Sequence, residues 1–102
     1  MHEVAWTKRA YFQLRAIADH IALDKPAPAE LLLQQAVLRI RQLGQFPNMR
    51  RQVPEIPRSA YRQLWVPPCW IYYRGAKYGG RVIILHVRRA ERRLRIEDIA
   101  IE

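Results

Sequence analysis

Cysteine is almost absent. Cys69 stands alone in 102 residues, so no intrachain disulfide can form and the fold must rest on packing. Such usage suits a reducing compartment. No stretch approaches the roughly 18 consecutive apolar residues of a membrane-spanning helix. The opening Met1-His2-Glu3-Val4-Ala5-Trp6 lacks the basic region and apolar stretch of a signal peptide, so the chain reads as cytoplasmic. The three histidines, His2, His20 and His86, are scattered, and no Cys/His cluster has metal-ligand spacing. No glycine-rich phosphate loop occurs among the four glycines. No metal or cofactor is therefore expected. Acidic residues are also scarce, since Glu55 and Glu91 are the only ones between residues 31 and 96. Paired carboxylates for acid–base chemistry are thus lacking where the strands are expected.

Half of the residues are hydrophobic and a tenth aromatic, which excludes a disordered chain and allows one compact core, read as a single domain over residues 1–102. The formal net charge is +9, unevenly placed. Residues 1–38 are neutral, residues 39–95 carry +12, and residues 96–102 carry −3. Arginine supplies 15 of the 18 cations, and its planar fork suits phosphate or carboxylate. Two readings follow: a surface that meets nucleic acid or an acidic protein segment, or a solvated basic face without a specific partner. The crowding of arginine favours the first.

Alternation of Val4 and Trp6 predicts a short strand over residues 3–6. Thr7 is suited to N-cap a helix, with Trp6 and Tyr11 at the staple positions. Ala10, Leu14, Ile17 and Ile21 recur at helical spacing beside Ala18 and Ala22, predicting a helix over 8–22. Asp24-Lys25-Pro26-Ala27-Pro28 breaks it and leads into a second helix starting near Pro28. There Leu33, Ala36, Val37, Ile40 and Leu43 form the expected apolar stripe, and Gly44 the expected end. So short a link requires an antiparallel helical hairpin. The period then changes. Gln52–Ile56, fenced by Pro54 and Pro57, is expected as a short edge strand. Ala60–Val66 and Cys69–Arg74 are expected strands, Gly75–Gly80 a hairpin loop, and Arg81–Val87 a central strand with apolar residues on both faces. Arg88–Glu102 is left open between helix, strand and loose tail. The order predicts an α+β fold, β-α-α-β-β-β, with the helical hairpin on one face of a mainly antiparallel sheet.

Without carboxylate pairs, chemistry would have to rest on arginine, histidine and tyrosine. Metal-independent RNA cleavage needs a base for the 2′-OH proton and cations for the phosphate. His86 is the candidate base. Alternation places it with Val82, Ile84 and Arg88, and Arg62 is expected near it across the sheet. The plainer alternative is a histidine hydrogen-bonded at the end of a buried strand. Trp65, Trp70, Tyr72 and Tyr73 suit base stacking or core packing, the second being commoner on strands. The densest surface signal is Arg88 to Arg95, five arginines in eight residues.

In order along the chain, Val4-Ala5-Trp6-Thr7, Ala10, Leu14, Ile17-Ala18-Asp19-His20-Ile21-Ala22, the Asp24-Lys25-Pro26 link, Ile40, Leu43, Phe46-Pro47, Val53-Pro54-Glu55-Ile56, Tyr61-Arg62, Ile71-Tyr72-Tyr73-Arg74 and Val82-Ile83-Ile84-Leu85-His86-Val87-Arg88 resemble the RelE/ParE superfamily of type II toxin–antitoxin toxins. That resemblance implies a helical hairpin on a small antiparallel sheet. It also implies two functional branches. RelE-like members cleave mRNA on the ribosome. Of their pattern, Arg62 falls at one basic position, while other positions fall at Leu64, Trp70, Ala90 and Ile96, so most of it is missing. ParE-like members poison DNA gyrase, and the hairpin with its Asp-x-Pro link, and Ile84-Leu85-His86 followed by basic residues, are similar to that branch. The ParE-like reading implies an antitoxin encoded by an adjacent gene, DNA gyrase as target, no membrane partner and no catalytic residue. Arg88, Arg89, Arg92, Arg93 and Arg95 are then the candidate target contacts, and Arg62, Trp65 and Arg74 the candidate antitoxin contacts. The alternatives are a RelE-like ribonuclease meeting ribosome and mRNA with His86, Arg62 and Arg88, and a small basic nucleic-acid-binding module.

Overall fold

The computed structural model describes residues 2–47, 50–55, 60–75, 80–95 and Asp98. Strand β1 (Val4–Trp6) runs into helix α1 (Lys8–Asp24), and a single extended residue, Lys25, separates it from α2 (Pro26–Gln45). Three strands follow: β2 (Tyr61–Val66), β3 (Cys69–Arg74) and β4 (Val82–Arg89). They form one mixed sheet in the order β1-β4-β3-β2, with β1 parallel to β4 and the other pairs antiparallel. The expected α+β order and the central place of β4 both hold.

Thr7 caps α1 as its sequence position suggests, its hydroxyl accepting the Ala10 N–H at 3.1 Å. The Thr7 N–H in turn donates to Ile84 O at 3.0 Å, pinning the turn from β1 into α1 against β4. Thr7→Ala is expected to cost about 1 kcal/mol, the usual worth of such a cap, read by urea unfolding. Tyr11 does not complete the staple: it is half exposed and its ring meets Phe12 edge-on.

Ala10, Leu14 and Ala18 of α1 and Leu32, Ala36, Ile40 and Leu43 of α2 pack on Leu64, Val66, Ile71, Tyr73, Val82, Ile84 and Val87 of the sheet. The stripe of α2 is thus carried by Leu32 rather than Val37, which is 54% exposed. Val37 lies one residue, about 100° of helical turn, beyond Ala36 and so points away from the sheet. Gly44 lies inside α2, which ends one residue later and is capped by Phe46.

A smaller cluster of Val53, Tyr72 and Leu94, flanked by Tyr61 and Trp70, covers the opposite face of the sheet. Val53 comes from the segment expected as an edge strand. In Gln52–Glu55 that strand reduces to one bridge, Gln52 to Arg62, bordered by Val53 N–H to Tyr61 O and Gln63 N–H to Arg51 O. Pro54 has no N–H to extend the ladder. Ile56 and the tip of the Gly75–Gly80 loop fall outside the described residues.

Candidate functional site

The site is built where β1 stops short. β1 pairs with β4 only as far as Trp6 opposite Ile84, so among the described residues the far half of β4 has no strand on that side. Helix α1 takes the place of the missing strand through Gln13. Its Oε1 accepts the Val87 N–H at 2.8 Å, and its Nε2 lies 3.1 Å from His86 Nδ1. A backbone N–H can only donate, which fixes the amide: Oε1 faces Val87 and Nε2 donates to His86. Nδ1 is therefore an acceptor, and the proton of this neutral ring sits on Nε2. Burial agrees. His86 is 6% exposed, and desolvation pulls its pKa down to about 4, the charges of Arg9 and Arg88 acting in the same direction and Asp98 against them. A general base needs a free lone pair and a pKa near the working pH. His86 offers a donor instead.

A bulge in β4 decides which way His86 faces. Tyr73 pairs with Ile84 but Tyr72 pairs with His86, leaving Leu85 as the extra residue. Simple alternation would put His86 with Val82 and Ile84 against the helices. The inserted residue moves it to the other face, beside Tyr72, with ring centroids 5.9 Å apart. Arg62 pairs with Tyr73 on the helix-side face, two strands away, and donates to Arg50 O at 2.7 Å. The expected proximity of Arg62 and His86 is therefore overturned.

The C-terminal arginines divide in two. Arg88 is used internally: Nε donates to the Tyr72 hydroxyl at 2.8 Å, and NH1 reaches the carbonyls of Arg89, Ala90 and Arg92. It clamps the turn that follows β4. Arg89 pairs with Glu91 at 2.7 Å, whereas Arg92, Arg93 and Arg95 are exposed. The segment left open in the sequence thus starts as strand (Arg88 and Arg89), turns at Ala90 and Glu91, and tucks Leu94 against Tyr72 and Val53. Asp98 then ties it to α1. Its Oδ1 lies 3.2 Å from Arg9 NH2, and its Oδ2 accepts the Arg95 N–H at 3.1 Å. Desolvation pushes the Asp98 pKa up, but the Arg95 N–H and the nearby Arg95 and Arg9 charges outweigh it and hold the carboxyl below its usual value.

Between α1 and this segment lies a cleft of about 610 Å³, lined by Gln13, Ala16, Ile17 and His20 on one side, by His86 and Val87, and by the arginines from Arg88 to Arg95 on the other. Sequence reasoning had named the arginines and His86 but not Gln13, Arg9 or Asp98. For Arg9 and Gln13 the signal was a stripe on α1, where Arg9, Gln13, Ala16 and His20 share one helical face; Asp98 had none. The candidate antitoxin contacts lie elsewhere. Trp65 is 37% exposed and packs on Trp70 at 4.9 Å between ring centroids. Arg74 is half buried and pairs with Tyr61, which puts it on the same sheet face as Trp65.

A family model for the ParE toxin of the type II toxin–antitoxin system parDE matches residues 4–94. The chain belongs to the ParE toxin family. Among solved structures, a chain from the chromosomal ParDE toxin–antitoxin system of P. aeruginosa is similar at 30% identity and a TM-score of 0.69, over 89% of this chain and 98% of that one. No curated protein matches the chain in sequence. The matched residues take in both helices, the whole sheet and Leu94, and leave Arg95 and Asp98 of the cleft outside. Among the described residues, no group of three or more His, Cys, Asp or Glu residues suits a metal ion, and no helix is long and apolar enough to cross a membrane.

Proposed function

We propose that this ParE-family toxin arrests growth by poisoning DNA gyrase in the cytoplasm, and that an antitoxin encoded by an adjacent gene neutralises it. One observation carries the choice over a RelE-like ribonuclease. The candidate base, His86, has its lone pair engaged by Gln13 and faces away from Arg62. A phosphodiester held by Arg62 could not be attacked with help from His86. The toxin acts by contact rather than by chemistry and needs no cofactor. Arg89, Arg92, Arg93 and Arg95 meet the target, and Arg88 holds the turn that presents them. The antitoxin contributes an acidic, amphipathic segment that folds on binding, its apolar side on Trp65 and its charges on Arg74, while Arg62 faces the other side of β2 and is bonded to Arg50 O.

The test runs purified protein in a gyrase supercoiling and cleavage assay beside cell-free translation. Inhibited supercoiling with intact mRNA is the expected result, reversed when the acidic product of the neighbouring gene is added. Cleaved mRNA with unaffected gyrase would overturn the proposal.

A further inference from the structure

The cleft beside α1 is more than an arginine-rich surface. At about 610 Å³ it has room for a small molecule, but two other concavities of about 600 and 530 Å³ are similar in size, so its lining is what sets it apart. Its walls differ in kind. One is helical and partly apolar, formed by Ala16 and Ile17 with the His20 imidazole at its end. The other is cationic. Two carboxylates border it, but Glu91 pairs with Arg89 and Asp98 with Arg9. Among the described residues no salt bridge takes up Arg92, Arg93 or Arg95. These three guanidinium groups sit within four residues, on a turn held by Arg88 and anchored by Leu94. His86 lines the cleft as well, its proton kept on Nε2 by Gln13.

We infer that this cleft binds a nucleoside phosphate, its phosphate on Arg92, Arg93 and Arg95 and its base along the Ala16, Ile17 and His20 wall. Arginine forks match phosphate oxygens two at a time, which a lone carboxylate ligand would use less fully. The helical wall supplies the flat apolar contact that a phosphate alone would leave empty. Two sources share this chemistry: a free nucleotide, or the phosphorylated end of a DNA strand. The inference rests on the reading of the C-terminal arginines as contact residues, but it does not require gyrase.

The experiment titrates the full chain with adenosine monophosphate, inorganic phosphate, and a short DNA oligonucleotide with and without a 5′-phosphate. Binding is followed by calorimetry and by the NMR signal of the His86 Nε2–H. Ala16→Phe fills the cleft without changing charge, and Ala22→Phe places the same ring on an exposed position of α1 outside it. The nucleotide is expected to bind saturably and to shift the His86 signal. Ala16→Phe should weaken binding by about tenfold or more, and Ala22→Phe by less than about twofold. If only the 5′-phosphorylated oligonucleotide competes with the nucleotide, the natural ligand is a strand end; if neither oligonucleotide does, it is a free nucleotide. Equal affinity of wild type and Ala16→Phe would reduce the effect to diffuse surface charge and overturn the proposal. So would inorganic phosphate binding as tightly as the nucleotide, or no saturable binding up to about 10 mM. Gyrase inhibition is scored separately on the same preparations. Failure there with intact nucleotide binding removes the target reading alone, and the converse removes the cleft proposal alone.

Discussion

Replacing Arg89, Arg92 and Arg93 together by alanine is expected to abolish growth arrest and gyrase inhibition while leaving the protein folded. Arg92 and Arg93 are exposed, and Arg89 has a single ion pair with an exposed Glu91. Such pairs contribute about 0–1 kcal/mol to stability, so the melting temperature should fall by no more than about 5 °C. At a charged target the same groups count for more. A charge-assisted arginine contact to phosphate or carboxylate contributes about 1.5–3 kcal/mol, and losing three should cut affinity by about a thousandfold or more. Arg88 is left out of the triple change on structural grounds. Its contacts with Tyr72 and three main-chain carbonyls hold the turn, so Arg88→Ala would confuse loss of contact with loss of shape. Thermal melts, a supercoiling assay and growth curves under induction provide the readouts. Full toxicity from a folded triple variant would show that these arginines are a solvated surface and nothing more.

The distinction between Arg88 and its neighbours marks the limit of what a charge pattern reveals. In the sequence five arginines look alike, and all five were candidate target contacts. The side-chain geometry separates one clamp, Arg88, and one ion-paired group, Arg89, from the exposed Arg92, Arg93 and Arg95. His86 shows a related limit. Its identity as the only candidate base was legible, but its tautomer depends on Gln13, 73 residues away in sequence. No local pattern pairs those two residues. The stripe on α1 that includes Gln13 was visible, yet polar residues on a helix face are ordinarily just solvated.

The fold was legible where a period was clean. Ala10, Leu14 and Ala18 mark the buried side of α1, and the Asp24-Lys25-Pro26 break sets the hairpin. In α2 the run Leu31-Leu32-Leu33 is apolar right round the helix, so periodicity alone could not tell Leu32 from Val37 as the inward position. The bulge in β4 was hidden for a comparable reason. Val82 to Leu85 are apolar without alternation, as befits a central strand buried on both faces, so an inserted residue leaves no mark on the pattern. That single residue turned His86 from the helix-side face to the opposite one, and with it changed which functional reading the site supports.

The protein is expected to lose about 3 kcal/mol of stability between pH 7 and pH 4 through His86 alone. In the unfolded chain this imidazole titrates near its ordinary value of 6.5, and in the folded chain near 4. Between those values the unfolded state binds a proton that the folded state refuses, so stability falls as the pH is lowered through that window. Each unit of separation is worth about 1.4 kcal/mol, which sets the size of the loss. Above pH 6.5 both states are neutral at this site and the contribution is complete; below about 4 both are protonated and it falls no further. Asp98 also loses its contribution in acid, but only below the ordinary carboxylate value of 3.8, because its folded pKa lies lower still. The two windows are therefore distinct. His86→Asn provides the control, since its amide oxygen can stand in for Nδ1 and accept from Gln13 without titrating. Urea unfolding at half-unit steps from pH 7 to 4 should show a steep wild-type decline, shallower in the variant by up to about one proton. Superimposable pH profiles would mean that protonated His86 is tolerated in the fold. The Gln13 amide would then have turned to accept from it, at the expense of the Val87 N–H.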